Sequence, residues 1–135
     1  MPWYRPQFIA LVAIGGAIGS LLRFGVFQLF PTDRAFLGTF TVNMIGSFVL
    51  GLLLEYLARH RPKLLGSQKM RLLVGTGICG GFTTYSTFAL DIRNFFSPFI
   101  AVPSLPLALF YVFGTLILGM SATVLGVWAG GRWAG

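Results

Sequence analysis

Acidic residues are almost missing: Asp33, Glu55 and Asp91 are the only three, and they stand beside a single histidine, His60, and a single cysteine, Cys79. Such a set assembles no carboxylate pair, Ser-His-Asp arrangement or metal cluster, which removes the usual hydrolytic and metalloenzyme chemistries; the chain reads as no enzyme. One thiol also removes an intrachain disulfide. The Gly80-Gly81 pair lacks the lysine and the spacing of a nucleotide-binding loop. Charge of any sign is scarce, at 10% of 135 residues, where a soluble domain carries about 25%. Repeats and low-complexity segments are lacking as well.

Apolar sequence fills the space. Hydrophobic residues make up 56% of the chain and the mean hydropathy is +0.81. They fall into four runs, about 8–30, 36–58, 70–94 and 107–128, each long enough to cross a hydrocarbon layer of ~30 Å. The expected fold is therefore an all-α integral membrane protein with four transmembrane helices in one unit, 1–135, lying multi-pass in the plasma membrane. The first run is too long for the apolar part of a signal peptide. Pro31 to Ala35 reads as a turn in which Thr32 or Asp33 caps the next helix.

Ten basic residues give a formal net charge of +7. They lie at the ends of the apolar runs, which is the pattern of membrane topology and not of a nucleic-acid surface. Arg5, Arg59, Arg61, Lys63, Lys69, Arg71 and Arg132 flank one side, and Arg34 and Arg93 the other. That imbalance favours both termini inside. Glu55 and Arg59, four apart near the end of the second run, are spaced to pair. Trp133 suits the membrane interface.

A few polar residues lie at depth, where each is costly unless bonded. The third run is interrupted at Gly80-Gly81-Phe82-Thr83-Thr84-Tyr85-Ser86-Thr87-Phe88. Two glycines weaken a helix, and hydroxyl side chains compete for backbone groups. One reading is close packing of a Gly/Thr-rich helix on a neighbour. The other is a helix broken at mid-membrane, which sets a carbonyl-rich end against an NH-rich end, a design for ions. Arg23 either snorkels to the headgroups or draws anions into a vestibule. Asn43 either joins helices or donates its amide to a passing anion. Tyr85, Phe88 and Asp91 recur every three residues on one face. Tyr111, Thr115 and Gly119 form an i, i+4, i+8 line on the fourth run, although membrane hydroxyls commonly bond their own i−4 carbonyl.

Three functions compete. Anion conduction uses neutral donors: the Asn43 amide, hydroxyls such as those of Thr39, Ser86, Thr87 and Thr115, and the positive ring edges of Tyr85 and Phe88. A small proton-coupled exporter needs an acid at mid-membrane; Glu55 and Asp91 fall near helix ends, which disfavours it. A subunit without transport of its own leaves the polar residues at depth unused.

The Gly80–Phe88 stretch, together with Gly15-Gly16-Ala17-Ile18-Gly19, Arg23-Phe24, Gly38-Thr39, Asn43, Gly46 and Gly51, resembles the signatures of the Fluc/CrcB family of small fluoride channels. The likeness runs the length of the chain. It implies passive, fluoride-selective export across a bacterial inner or cell membrane by an antiparallel, dual-topology dimer with two pores. It implies a structural sodium ion at the dimer centre, held by backbone carbonyls that match Gly80 and Thr83. Asn43 matches the pore asparagine, Tyr85 and Phe88 the two pore phenylalanines, Tyr111 and Thr115 the polar track, and Asp91 a glutamate. Tyr85, Gly119 and Asp91 depart from the family pattern in residue type. The dimer is expected as a homodimer, with an inverted heterodimer of paralogous subunits as the alternative.

Overall fold

The computed structural model describes residues 5–60, 65–97 and 105–132. Among them every regular element is helical. Helix α1 spans Pro6–Phe27 and opens with proline in its first turn, where the missing N–H costs nothing. Pro31 starts a 3-10 turn, Thr32–Arg34, without a side-chain cap, so the expected cap by Thr32 or Asp33 is not what begins this segment; Asp33 instead lies 3.7 Å from Arg34 in an exposed pair. Helix α2 follows as Ala35–His60. Helix α3, Leu65–Met70, runs into a π-helical stretch, Arg71–Cys79, and then the single turn α4, Gly80–Phe82. Helix α5 is Tyr85–Phe95 and helix α6 is Leu105–Arg132. Arg61, Lys63, Trp133 and most of the proline-rich loop between α5 and α6 lie outside the described residues.

Among the described residues, three helical segments are long and apolar enough to cross a membrane: Pro6–Phe27, Thr32–Arg59 and Leu105–Arg132. Between Leu65 and Phe95 the chain is divided instead. Thr83 and Thr84 take extended backbone, with φ/ψ of −76/157 and −146/117, between α4 and α5. The first helix ends at Phe27, three residues short of the apolar run, because the Gln28–Phe30 turn precedes Pro31.

Glycine sets which helices touch, because lipid gives no hydrophobic drive between them and backbone proximity must supply the contact. A methyl on Gly15 would stand 2.9 Å from Gly77 Cα, and one on Gly77 would stand 2.8 Å from Gly15 Cα. Gly19 sits against Ile78 and Phe82 in the same way. Residue numbers rise together on both sides, so α1 and the π-helical stretch run parallel. The same reading applies to α2 and α6, where Gly51 meets Thr123, Gly126 meets Phe48 and Leu52, and Gly130 meets Leu52 and Tyr56. The start of α1 and the ends of α2 and α6 therefore share one end of the bundle. The π-helical stretch itself has glycine at 75 and 77, where wider winding meets no Cβ; such segments are rare and concentrate at functional sites.

The buried centre is small and aromatic. Phe88, Phe95, Ala108 and Tyr111 form it, with Phe36, Phe40, Ile92 and Val112 packed around them. Outside it, large apolar side chains are exposed along α1 and α6, including Leu21, Phe110, Phe113, Ile117, Met120 and Val124. A soluble protein does not expose such a surface; a lipid-facing one does.

Candidate functional site

Asn43 holds the extended residues between α4 and α5. Its Oδ1 accepts from Thr84 N–H at 2.8 Å, and its Nδ2 donates to Thr84 C=O at 3.1 Å. In an uninterrupted helix Thr84 N–H would reach back to Gly80 C=O. Here it turns to Asn43, so the Gly80 carbonyl loses that partner. One of the two amide hydrogens of Asn43 remains for another acceptor. Thr83 stays tied to the preceding turn through its N–H and its hydroxyl, both donating to Cys79 C=O at 2.9 Å. Arg23 reaches Thr83 C=O from α1 through Nη1 in a long contact of 3.4 Å.

Thr84 is also the N-cap of α5. Its hydroxyl oxygen accepts from Thr87 N–H at 3.1 Å, lies 3.0 Å from Thr87 Oγ1 and 3.3 Å from Ser86 Oγ. The cap fixes where α5 begins and aims its N-terminal N–H groups, with their partial positive charge, at the space before it. Beside it lies an open cavity of about 460 Å³ lined by Ser20, Arg23, Phe24, Phe27, Ser86 and Thr87. A guanidinium and three hydroxyls in one cavity suit a small anion. Ser20 was not singled out from sequence; its place three residues before Arg23 on α1 is the signal that would have found it.

Tyr85 and Phe88 share a face, as their spacing predicts, with ring centroids 6.1 Å apart. Their surroundings differ sharply. Tyr85 is 81% exposed at the very start of α5, and Phe88 is 8% exposed and packed on Tyr111 at 5.3 Å. Phe36 and Phe95 close on Tyr111 edge-on, at 5.9 and 5.4 Å. This aromatic surround was not foreseen.

Asp91 lies in the last turns of α5 and is buried: it is 7% exposed, and its Oδ2 accepts from the Tyr111 hydroxyl at 3.0 Å. Thr39, fully buried, stands beside both groups without meeting hydrogen-bond geometry to either. Thr115, one turn along α6 from Tyr111, is buried too, and among the described residues neither its Oγ1 nor that of Thr39 has a hydrogen-bond partner. Buried hydroxyls without partners are uncommon in native structures and call for a reason. Gly119, one further turn on, faces Met44 and lies 4.0 Å from Ser47 Oγ measured from an added methyl, so α2 supplies a hydroxyl close to where α6 has none. Ser121 and Thr123, by contrast, donate to their own i−4 carbonyls.

A second cavity, about 290 Å³, runs between α2 and the π-helical stretch and is lined by Asn43, Gly46, Ser47, Thr76, Gly80 and Thr83 among others. Gly80 and Thr83 thus share one surface. The carbonyls of Gly80 and Thr83 are hard oxygen donors of the kind an alkali cation takes. Two neutral carbonyls on one cavity wall fit a sodium ion's preference for oxygen donors.

Long apolar helices, a cavity edged with neutral hydroxyls and one cation, and buried unpaired hydroxyls define a small multi-pass membrane protein built around polar groups at depth. The sequence model for the family described as CrcB-like protein, camphor resistance (CrcB), matches residues 10–127. The chain belongs to the CrcB family. It is 43% identical over 122 residues to a protein of Agrobacterium fabrum named fluoride-specific ion channel FluC, covering 88% of this chain and 92% of that one. Proteins of the same name from Oceanobacillus iheyensis and Chloroflexus aurantiacus are 38% and 37% identical, covering 88% of both chains in the first case, and 94% and 97% in the second.

Proposed function

We propose that this protein is a passive fluoride channel of the membrane, working as an antiparallel dimer. The observation that carries the reading is the capped start of α5 opening on a cavity that gathers Arg23, Ser20, Ser86 and Thr87. The family's named fluoride channels agree with it. In this reading the third span is broken at mid-membrane at Thr83–Thr84, completing four spans in a single membrane unit, 1–135.

Fluoride is strongly hydrated, so the path must offer donors as water is lost. The ion enters beside Arg23 and trades water for the hydroxyls of Ser86 and Thr87 and the remaining Asn43 N–H. It then passes the positive ring edges of Phe88 and Tyr85. The Thr39 and Thr115 hydroxyls receive it beyond the rings, which gives their unspent hydrogens a purpose. Tyr111 lines the same wall with its hydroxyl committed to Asp91. Asp91 holds that tyrosine in place by accepting its hydroxyl. Several weak neutral sites in series let an ion leave as readily as it enters.

A sodium ion would be held by the Gly80 and Thr83 carbonyls and would supply positive charge to offset their partial negative charge. This chain's part is to interrupt the helix there: Asn43 takes Thr84 N–H away from the Gly80 carbonyl. The exposed Tyr85 suits a surface covered by the second chain.

A second reading has one observation in its favour. The buried Asp91 beside Tyr111 is the sort of acid a proton-coupled exporter requires. Fluoride efflux from liposomes holding only this protein separates the two. Efflux that proceeds with the proton gradient collapsed supports the channel, and efflux that stops with it supports the exporter.

A further inference from the structure

The far end of the bundle carries a group of residues that ion passage does not use. On α6, Phe113, Ile117, Met120, Val124 and Trp128 follow one another at helical spacing, and each is more than half exposed. The stripe ends one turn later at Arg132, whose guanidinium lies 4.4 Å from the centre of the Trp128 ring. The buried Tyr111 and Thr115 look the other way, so this face is turned from the polar groups of the proposed ion path.

A second guanidinium arrives from α2. Arg59 pairs through Nε with Glu55, which leaves its terminal nitrogens directed elsewhere. They lie across Gly131: a methyl there would stand 3.4 Å from Arg59 Nη2. Glycine at that position lets the α2 guanidinium rest on α6 one residue before Arg132. Because α2 and α6 run parallel, both side chains sit at the same membrane depth, where both helices end. Their charges offset the two carbonyl-rich helix ends, but two cations against the single carboxylate of Glu55 leave the corner positive. Arg5, Lys69 and Arg71 lie toward the same end.

We infer that Arg59, Arg132 and Trp128 form a binding site for the phosphodiester headgroup of an anionic phospholipid, with the α6 stripe as the bed for its acyl chains. The two guanidiniums match phosphate oxygens in charge and fork geometry, and basic corners between membrane helices are where such headgroups bind. The apolar stripe running straight into the cations is what distinguishes a lipid from free phosphate, which has nothing to place there. Trp128 sits at headgroup level with its ring between the two regions. The inference does not depend on which ion the protein conducts.

The test uses Trp128 as its own reporter. In the full-length protein carrying Trp3→Phe and Trp133→Phe, Trp128 is the one tryptophan left. The protein is reconstituted in phosphatidylcholine vesicles with a small fraction of either dibrominated phosphatidylglycerol or dibrominated phosphatidylcholine. At equal mole fraction the brominated anionic lipid should occupy the site about fivefold more than its neutral counterpart at low salt, and quench accordingly. Arg132→Gln, and separately the pair Glu55→Gln/Arg59→Gln, should each reduce that preference. Equal quenching by the two lipids in the parent protein overturns the proposal without any arginine variant having to fold. Loss of the preference on adding millimolar inorganic phosphate at constant ionic strength also overturns it, by showing a free-phosphate site.

Discussion

Gly19→Ala is the sharpest probe of how the first span meets the third. A methyl there would stand 2.8 Å from Phe82 N and closer still to the Ile78 carbonyl oxygen, where ordinary contact begins at 3.4 Å. The backbones must part by at least about 0.6 Å, and neither contact atom belongs to a side chain that can rotate away. Overpacking costs about 1–3 kcal/mol, and a rigid backbone neighbour puts this site at the top of that range. Alanine's better helix propensity returns about 1 kcal/mol, leaving a net loss of about 2 kcal/mol. Gly25→Ala is the matched control on the same helix: it is exposed and nothing lies within 4 Å of its added methyl, so it should be neutral or gain up to about 1 kcal/mol. Equilibrium unfolding in mixed micelles, followed by circular dichroism, reads the difference. A gap of about 3 kcal/mol between the two variants is expected. Equal midpoints would refute the close approach of α1 to the Ile78–Phe82 backbone.

Four further outcomes are open to measurement. Asn43→Ala strips Thr84 of both side-chain bonds, at about 1–3 kcal/mol for each buried group left unpaired, so it should lower stability and flux together; Phe88→Ile should leave stability within about 1.5 kcal/mol yet cut flux per folded dimer about tenfold, with gel filtration giving the folded fraction. Exchanging sodium for a large organic cation over a long incubation should weaken the dimer or its flux, and no change in either would remove the sodium site. Cysteines placed at both termini should label from both faces of intact cells if the chain forms a dual-topology homodimer; labelling from the cytoplasm alone would fit the excess of basic residues at one end and would assign the chain to an inverted heterodimer.

Much of the architecture is legible in the sequence because lipid imposes it. Four apolar runs, and basic residues at their ends, follow from the cost of burying charge. The Tyr85–Phe88 spacing correctly puts two rings together, and Glu55 does pair with Arg59. What stays hidden depends on partners far apart in the chain. Asn43 is visible as a costly amide at depth, but its two bonds to Thr84 span 41 residues and carry no local signal. Asp91 reads as a helix-end acid until α6 brings Tyr111 over it. The π-helical winding of Arg71–Cys79 has no distinct periodicity to reveal it, since glycine and apolar residues suit α and π turns alike.

The reversal potential of the purified protein in a planar bilayer, with fluoride on one side and chloride on the other, tests the central claim most directly. A passive fluoride channel brings it close to the limit set by fluoride alone, and keeps it there with equal pH on both sides. A reversal potential near zero, or current that appears only when a pH difference is imposed, would contradict the account.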